Sequence, residues 1–89
     1  MQNSNTIKAG IDEVFVGIDW GASPHQLCAV NATGQRQRQV RLSHDVAGLN
    51  QLDAELAPLG TGLPVCVERA EGLLVERLQA SGHRVFPVN

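Results

Sequence analysis

Two carboxylates stand where a metal-dependent reaction would need them. Asp19 closes an apolar run that begins at Val14, and Glu68 closes another that begins at Pro64. If these runs are neighbouring parallel strands, their carboxyl ends meet at the sheet edge where open α/β sheets bind ligands. Two acids held together repel each other unless a cation lies between them, and Mg²⁺ prefers carboxylate oxygens. The pair therefore predicts a metal-dependent site that cleaves or transfers phosphodiester bonds.

A simpler interpretation is that both acids end their strands and face solvent. Asp19 and Glu68 each follow four or more apolar residues, and burying an unpaired carboxylate is costly. The pattern of residues leaves the shared metal site and the solvent-facing interpretation open.

Three strands are predicted in the first half of the chain, and they would position the first acid. The run Val14–Asp19 is apolar on both alternating faces, which is typical of a central strand covered on both sides. A second strand over His25–Asn31 and a third over Gln35–Leu42 flank a short loop that ends in Gly34. Glycine at a positive φ is typical of such a hairpin, so these two strands are predicted to be antiparallel.

Two amphipathic helices and two strands are predicted in the second half. One helix of about three turns carries an apolar stripe that consists of Val46, Leu49, Leu52 and Leu56. Ser43 or Asp45 is its predicted N-cap. The second helix carries a face that consists of Leu74, Leu78 and Ser81, with Gly82 as its C-terminal cap. Strands over Pro64–Glu68 and Arg84–Val88 follow the two helices.

The predicted fold class is therefore α/β, with the element order β-β-β-α-β-α-β. A hairpin followed by two strand–helix–strand crossovers implies a mixed sheet with parallel strands on one side. Right-handed crossovers would place the strands that end at Asp19 and Glu68 side by side. Residues 1–12 are polar without periodicity and are predicted to be a flexible leader, which leaves 13–89 as the folded part.

Composition limits the class of protein further. The 89 residues carry seven basic and nine acidic side chains, a net charge of −2, which argues against binding nucleic acid by bulk charge alone. No apolar run approaches the ~20 residues that span a bilayer, and the polar N-terminus lacks the layout of a secretory signal. Cys28 and Cys66 are too few for a disulfide framework. The sequence predicts one small cytoplasmic domain with no membrane partner.

Several stretches together resemble the DEDD transposases of bacterial insertion sequences. This group includes the pilin-gene invertase Piv, and its catalytic domain is similar to the RuvC Holliday-junction resolvase. The matching stretches are Val14–Gly21, Ser23–Gln26, Asn31–Gly34, His44–Leu49, Val67–Gly72, Leu78, Gly82–Val85 and Val88–Asn89. Their order and spacing carry the resemblance, which covers nearly everything after residue 13. One departure is Ala22, where many members have lysine.

The resemblance implies a fold, a metal site and partners. It implies an RNase H-like (RuvC-like) domain in which Asp19 and Glu68 are the first two acids of a four-carboxylate Mg²⁺ site. Members move mobile DNA, are directed by a structured RNA of their own element, and are expected to act as homo-oligomers. The remaining two acids and a recombination serine lie further along, and no Asp or Glu follows Glu76 here. We therefore expect this chain to lack the final helical part of the domain and to be inactive by itself.

For the other residues that could take part in chemistry, a purely structural role is also considered. The basic cluster Arg36, Arg38 and Arg41 is expected either to contact nucleic-acid phosphates or to form a solvated edge strand. The three histidines sit in separate elements and are predicted to be surface or turn residues. Cys28 and Cys66 are predicted to be small buried hydrophobic residues. Trp20 is expected either to pack beside the strand end or to stack on a base.

Two other functions compete with a transposase segment. An actin-like ATPase or sugar-kinase fragment also opens with an apolar strand, Gly-Ile-Asp-x-Gly and a hairpin. Such a loop favours Thr or Ser where Ala22 stands, and its hairpin is not normally followed by a strand that ends like Glu68. The third interpretation is a non-catalytic transposase remnant that serves as an assembly or RNA-binding module, since an incomplete sheet would expose apolar surface.

Overall fold

The computed structural model describes residues 13–21 and 24–88, and it contains the predicted elements in the predicted order. The elements are β1 (Val14–Asp19), β2 (His25–Asn31), β3 (Arg36–Leu42), α1 (Val46–Leu56) with a 3₁₀ turn (Ala57–Leu59), β4 (Pro64–Glu68), α2 (Gly72–Ala80) and β5 (Arg84–Val88). Four strands have the predicted bounds, and β3 begins one residue later than predicted. The predicted leader, residues 1–12, lies outside the described residues.

The five strands form one mixed sheet in the order β3-β2-β1-β4-β5. β1 pairs antiparallel with β2 and parallel with β4, and β5 extends the parallel side beyond β4. Gly34 lies in the β2–β3 hairpin at φ +85°, as the sequence predicts. The α/β class and the neighbouring placement of the two acid-bearing strands are therefore confirmed.

The sheet has one face buried by the helices and one face that is largely open. Alternate strand residues pack with both helices into a single core, whose fully buried members include Leu27, Val65, Val67, Leu52, Leu56, Leu74 and Leu78. The intervening residues are exposed, as Phe15 (42%) and Phe86 (48%) illustrate. The prediction that β1 is covered on both sides is wrong for the described residues, because both helices pack on one face.

Helix α1 begins with a side-chain cap. The Asp45 carboxylate accepts hydrogen bonds from the Gly48 backbone N–H (2.8 Å) and from the Ser43 hydroxyl (2.6 Å). The Ser43 hydroxyl first and the Gly48 N–H second hold the pKa of Asp45 below its usual value. The predicted apolar stripe is buried except for Val46, which is 69% exposed because the first helical position points away from the sheet.

Helix α2 is tied to α1 by one arginine. Arg77 donates from Nε to Asp53 Oδ2 (2.8 Å) and from Nη2 to Asn50 Oδ1 (2.7 Å). Gly82 follows α2 at φ +89°, which confirms the predicted cap position. Ser81 is exposed rather than part of the buried face, because the helix has already ended. Neither helix in the described part of the chain is long and apolar enough to cross a membrane.

Candidate metal and nucleic-acid site

The two predicted carboxylates lie directly opposite each other. Asp19 and Glu68 are register partners in the parallel β1–β4 ladder, and each is the last residue of its strand. Neighbouring strands are about 4.8 Å apart, so the two side chains start from adjacent points of the sheet edge. Both belong to the open face, where Asp19 is half-buried and Glu68 is exposed. This juxtaposition is what the apolar runs predict.

Backbone hydrogen bonds hold this pair of strand ends in place. The Trp20 backbone N–H donates to the Glu68 carbonyl (3.1 Å), which continues the β1–β4 ladder past Asp19. The Gly21 backbone N–H donates to Asp19 Oδ1 (3.1 Å), which directs the carboxylate toward the turn after β1. The backbone positions of both acids are therefore set by the β1–β4 ladder, and the Gly21 N–H also orients the Asp19 carboxylate.

A groove runs across the open face beside the acids. Its volume is about 370 Å³ and its lining includes Asp19, Glu68, Gln26, Cys28, Cys66 and Val88. The prediction that both cysteines are buried is wrong, since Cys28 is half-buried and Cys66 exposed. The reason is that the thiols lie on the strand face that no described helix covers.

The donor set at the edge suits a hard divalent cation. Among the described residues no group of three or more His, Cys, Asp or Glu side chains is arranged to hold a metal. Two carboxylates, Asp19 and Glu68, match the way Mg²⁺ is usually held, because this ion binds through one or two carboxylates and keeps several waters.

The three arginines of the predicted basic cluster have different surroundings in the structure. Arg41 is the register partner of Gln26, which in turn is the partner of Asp19, so Arg41 shares one row across the sheet with the acids. Arg38 instead forms an ion pair with Glu55 of α1 (Nε–Oε1 3.3 Å). Arg36 is exposed near the start of the edge strand. Of the three arginines, Arg41 is the one that belongs to the row of the carboxylates.

Two histidines form a cluster that sequence reasoning missed. His25 is only 7% exposed, stacks on Trp20 with ring centroids 3.7 Å apart, and its Nε2 is 2.9 Å from Nδ1 of His44. The prediction of surface or turn histidines is wrong for His25, because β2–β3 pairing puts Leu42 opposite it and His44 two residues further. Packing of Trp20 at the strand end is confirmed, since it is 6% exposed.

The Trp20–His25–His44 cluster lies on the helix-covered face of the sheet, behind the acids. The indole Nε1 of Trp20 and Nδ1 of His25 are buried without a hydrogen-bond partner among the described residues. The third histidine, His83, is half-buried, and its Nδ1 accepts a hydrogen bond from the Leu63 backbone N–H (3.1 Å). The histidines therefore support the fold around the edge and do not line the groove of the carboxylates.

Comparison with known proteins identifies the family. Residues 16–89 match the DEDD transposase family named for the insertion sequence IS110, whose description is "Transposase". The chain belongs to this IS110-type family of DEDD transposases. A Streptomyces coelicolor protein named "Mini-circle putative transposase for IS117" is 40% identical over 80 residues, 85% of this chain.

The family match includes both strand ends of the candidate site. Asp19 and Glu68 lie within the matched residues, as does the whole described sheet except the start of β1. The aligned region makes up 19% of the Streptomyces relative, so this transposase chain spans about a fifth of the length of the curated protein it matches. Family membership alone therefore does not show that this chain has the activity of a whole IS110-type protein.

Proposed function

We propose that this chain is the N-terminal segment of an RNase H-like catalytic domain of an insertion-sequence transposase. In the complete protein, that domain would cleave and transfer DNA strands with Mg²⁺ held in part by Asp19 and Glu68. The observation that carries the proposal is the register pairing of these two acids at the carboxyl ends of parallel strands. Family membership favours this function over an ATPase or sugar-kinase fragment.

The topology supports an RNase H-like domain. Three antiparallel strands come first, and two strand–helix–strand crossovers then extend the sheet on the β1 side. This arrangement brings the first strand to the centre of the sheet, so Asp19 has a neighbour on each side: Gln26 on β2 and Glu68 on β4. An extended substrate lying across the open face can therefore reach a reactive group at the carboxyl end of this central strand.

A bound Mg²⁺ would supply charge neutralisation and an oriented water at a phosphodiester group. Asp19 and Glu68 would provide two of its oxygen ligands, and the Gly21 N–H would keep the Asp19 carboxylate oriented. Two acids alone leave most of the coordination sphere to water, so we expect weak metal binding by this chain. Because the family's other two acids are not in the 89 residues, we expect no DNA cleavage by the chain itself.

DNA is the proposed substrate, and a structured RNA of the element is the proposed guide. Arg41 supports a phosphate contact, because it lies on the carboxylate row about two strand spacings, roughly 10 Å, from Asp19. Its cationic side chain would offset the repulsion between a phosphate backbone and the two acids. Arg38 contributes less to this contact, since its charge is already paired with Glu55.

Paramagnetic Mn²⁺ tests the metal site directly. Mn²⁺ takes the same oxygen ligands as Mg²⁺, and in an NMR titration of the ¹⁵N-labelled chain it should broaden the amide signals at the ends of β1 and β4 before others. Asp19→Asn and Glu68→Gln should each abolish that selective broadening. Asparagine keeps an acceptor for the Gly21 N–H, so the Asp19 variant retains the turn.

Glu76→Gln is the matched control, because Glu76 is an exposed carboxylate on α2 away from the edge. It should leave the broadening at Asp19 and Glu68 unchanged, and excess Mg²⁺ should reverse the broadening in the wild-type chain. Uniform broadening of all exposed carboxylates, or broadening that survives in both site variants, would refute the metal site.

Self-association is a second function that a specific observation favours. Exposed apolar side chains lie on the open sheet face: Phe15, Phe86 and Val88. Such a surface is typical of a region that packs against another protein segment. Light scattering of the chain should show concentration-dependent dimers, and Phe86→Ser should reduce them. A strict monomer at all concentrations would contradict an assembly role for this face.

A further inference from the structure

Arg69 has a backbone conformation that sets it apart from the rest of the chain. Its φ is +60°, and among the described residues it is the single non-glycine residue with a positive φ. The other four such positions are glycines, namely Gly34, Gly60, Gly62 and Gly82. A side chain in the left-handed region is disfavoured, and residues of this kind cluster at functional sites. Arg69 directly follows Glu68, so the strained position adjoins the candidate metal ligand.

The side chain of Arg69 lies on the turn that orients the other acid. A Cβ atom added to Gly21 would lie 2.0 Å from Arg69 Cδ and 2.9 Å from its Nε, so the arginine occupies the space that glycine leaves. The same Gly21 donates its N–H to Asp19 Oδ1. Arg69 therefore crosses from the end of β4 to the turn after β1, and its guanidinium group lies at the edge of the sheet that carries Asp19 and Glu68.

The guanidinium group of Arg69 forms no ion pair or hydrogen bond with another described residue. The ion pairs among those residues are Arg38–Glu55 and Arg77–Asp53. It is exposed to solvent. A guanidinium group has five N–H donors in a planar fork that matches two oxygens of a phosphate group.

We propose that Arg69 binds a phosphodiester group of DNA at the Asp19–Glu68 edge and holds it beside the metal ligands. The inference rests on the proposed function and adds a substrate-binding residue to it. Arg69 reaches the turn after β1, and Arg41 lies in the carboxylate row two strands from Asp19, so the candidate site has two exposed cations near the acids. A DNA strand laid across this edge could contact both cations beside the acidic pair.

Arg69→Gly separates this role from a structural one. Glycine adopts the left-handed backbone without penalty, so the variant should unfold at the same temperature as the wild-type chain or a higher one. A short single-stranded DNA, titrated by NMR at about 0.1 M salt with Mg²⁺ present, should bind it about tenfold more weakly, as expected for losing one charge-assisted contact. The salt dependence of binding should decrease by about one phosphate contact.

Two further variants sharpen the test. Gly21→Ala keeps every charge but should displace the Arg69 side chain, and we expect it to weaken DNA binding by a similar factor. Arg84→Ala is the matched control, because it removes the same charge from a distant position. Arg84 is the register partner of Pro64, at the opposite end of β4 from Glu68. This variant should bind DNA within about twofold of wild type, since exposed charges beyond a Debye length, about 10 Å, are largely screened.

Equal DNA affinities of wild type and Arg69→Gly, or equal losses in Arg69→Gly and Arg84→Ala, would refute the role of Arg69. A loss seen only with an RNA oligonucleotide or with inorganic phosphate would refute DNA as the source of the phosphate. The Mn²⁺ titration of the wild-type chain is read separately. Absence of broadening at Asp19 and Glu68 refutes the metal site, whereas broadening retained in Arg69→Gly together with unchanged DNA affinity refutes Arg69 alone.

Discussion

Replacing Gly48 by alanine should destabilise the protein, although the same change in most helices is favourable. Gly48 lies in the first turn of α1 and is buried. Alanine is intrinsically about 0.8–1.0 kcal/mol better than glycine in a helix. Here a Cβ atom would lie 1.8 Å from the Ser43 carbonyl oxygen and 2.7 Å from its carbonyl carbon, both of them backbone atoms. The backbone must therefore move to accept the methyl group.

The cost of that movement can be compared with the gain in helix propensity. Overpacking a well-packed site costs about 1–3 kcal/mol. Moving Ser43 also disturbs the cap, because its hydroxyl and the Gly48 N–H both donate to Asp45, and losing a cap costs about 1 kcal/mol. After subtracting the propensity gain, we expect Gly48→Ala to lower the free energy of unfolding by about 1–3 kcal/mol.

Gly72→Ala is the matched control, since Gly72 begins α2 and has no atom within 4 Å of an added Cβ. Its stability should be unchanged or higher by up to about 1 kcal/mol. Urea unfolding followed by circular dichroism measures both variants, with the midpoint shifting at constant slope. If Gly48→Ala proves as stable as Gly72→Ala, the close contact with Ser43 does not constrain the native backbone and the reasoning fails.

Three other perturbations probe stability. Asp45→Ala should lower stability at neutral pH and make stability fall less steeply as the solution is acidified. The native pKa of Asp45 lies below the usual 3.8, so the ionised carboxylate stabilises the fold above pH 3.8 and loses this effect as the pH falls. Urea midpoints between pH 3 and 7 measure the difference. His44→Ala should cost about 1–3 kcal/mol in urea unfolding by leaving buried His25 Nε2 without its partner, and a neutral result would contradict this. Leu78→Ala, in the core, should cost about 2–5 kcal/mol by the same measurement.

The strands could be predicted from the sequence because their signals are local. The run Val14–Asp19 and the run Pro64–Glu68 each show continuous apolar character that ends at an acid, and the structure gives the same bounds. The Asp19–Glu68 pairing then follows from the preference for right-handed crossovers, which restricts neighbouring strands to few arrangements. This part of the candidate site was accessible because topology, rather than side-chain detail, determines it.

Features that depend on which face is covered could not be predicted in this way. Cys66 has the same local surroundings as a buried strand residue, yet it is exposed because the described helices pack on the opposite face. The contact between His25 and His44 depends on the β2–β3 register, and no single stretch of the sequence determines that register. The left-handed backbone of Arg69 is likewise invisible in the sequence, since glycine or asparagine would normally mark such a position.

The stacking of Trp20 on His25 has a practical consequence for experiments on this site. Trp20 is the single tryptophan of the chain, and it adjoins Asp19 in sequence. All of the chain's tryptophan emission therefore originates one residue from the candidate metal ligand, from an indole ring 3.7 Å from an imidazole ring. A change at the end of β1 that alters this stack alters the environment of the fluorophore. The unmodified chain thus carries its own optical reporter at the edge of the sheet.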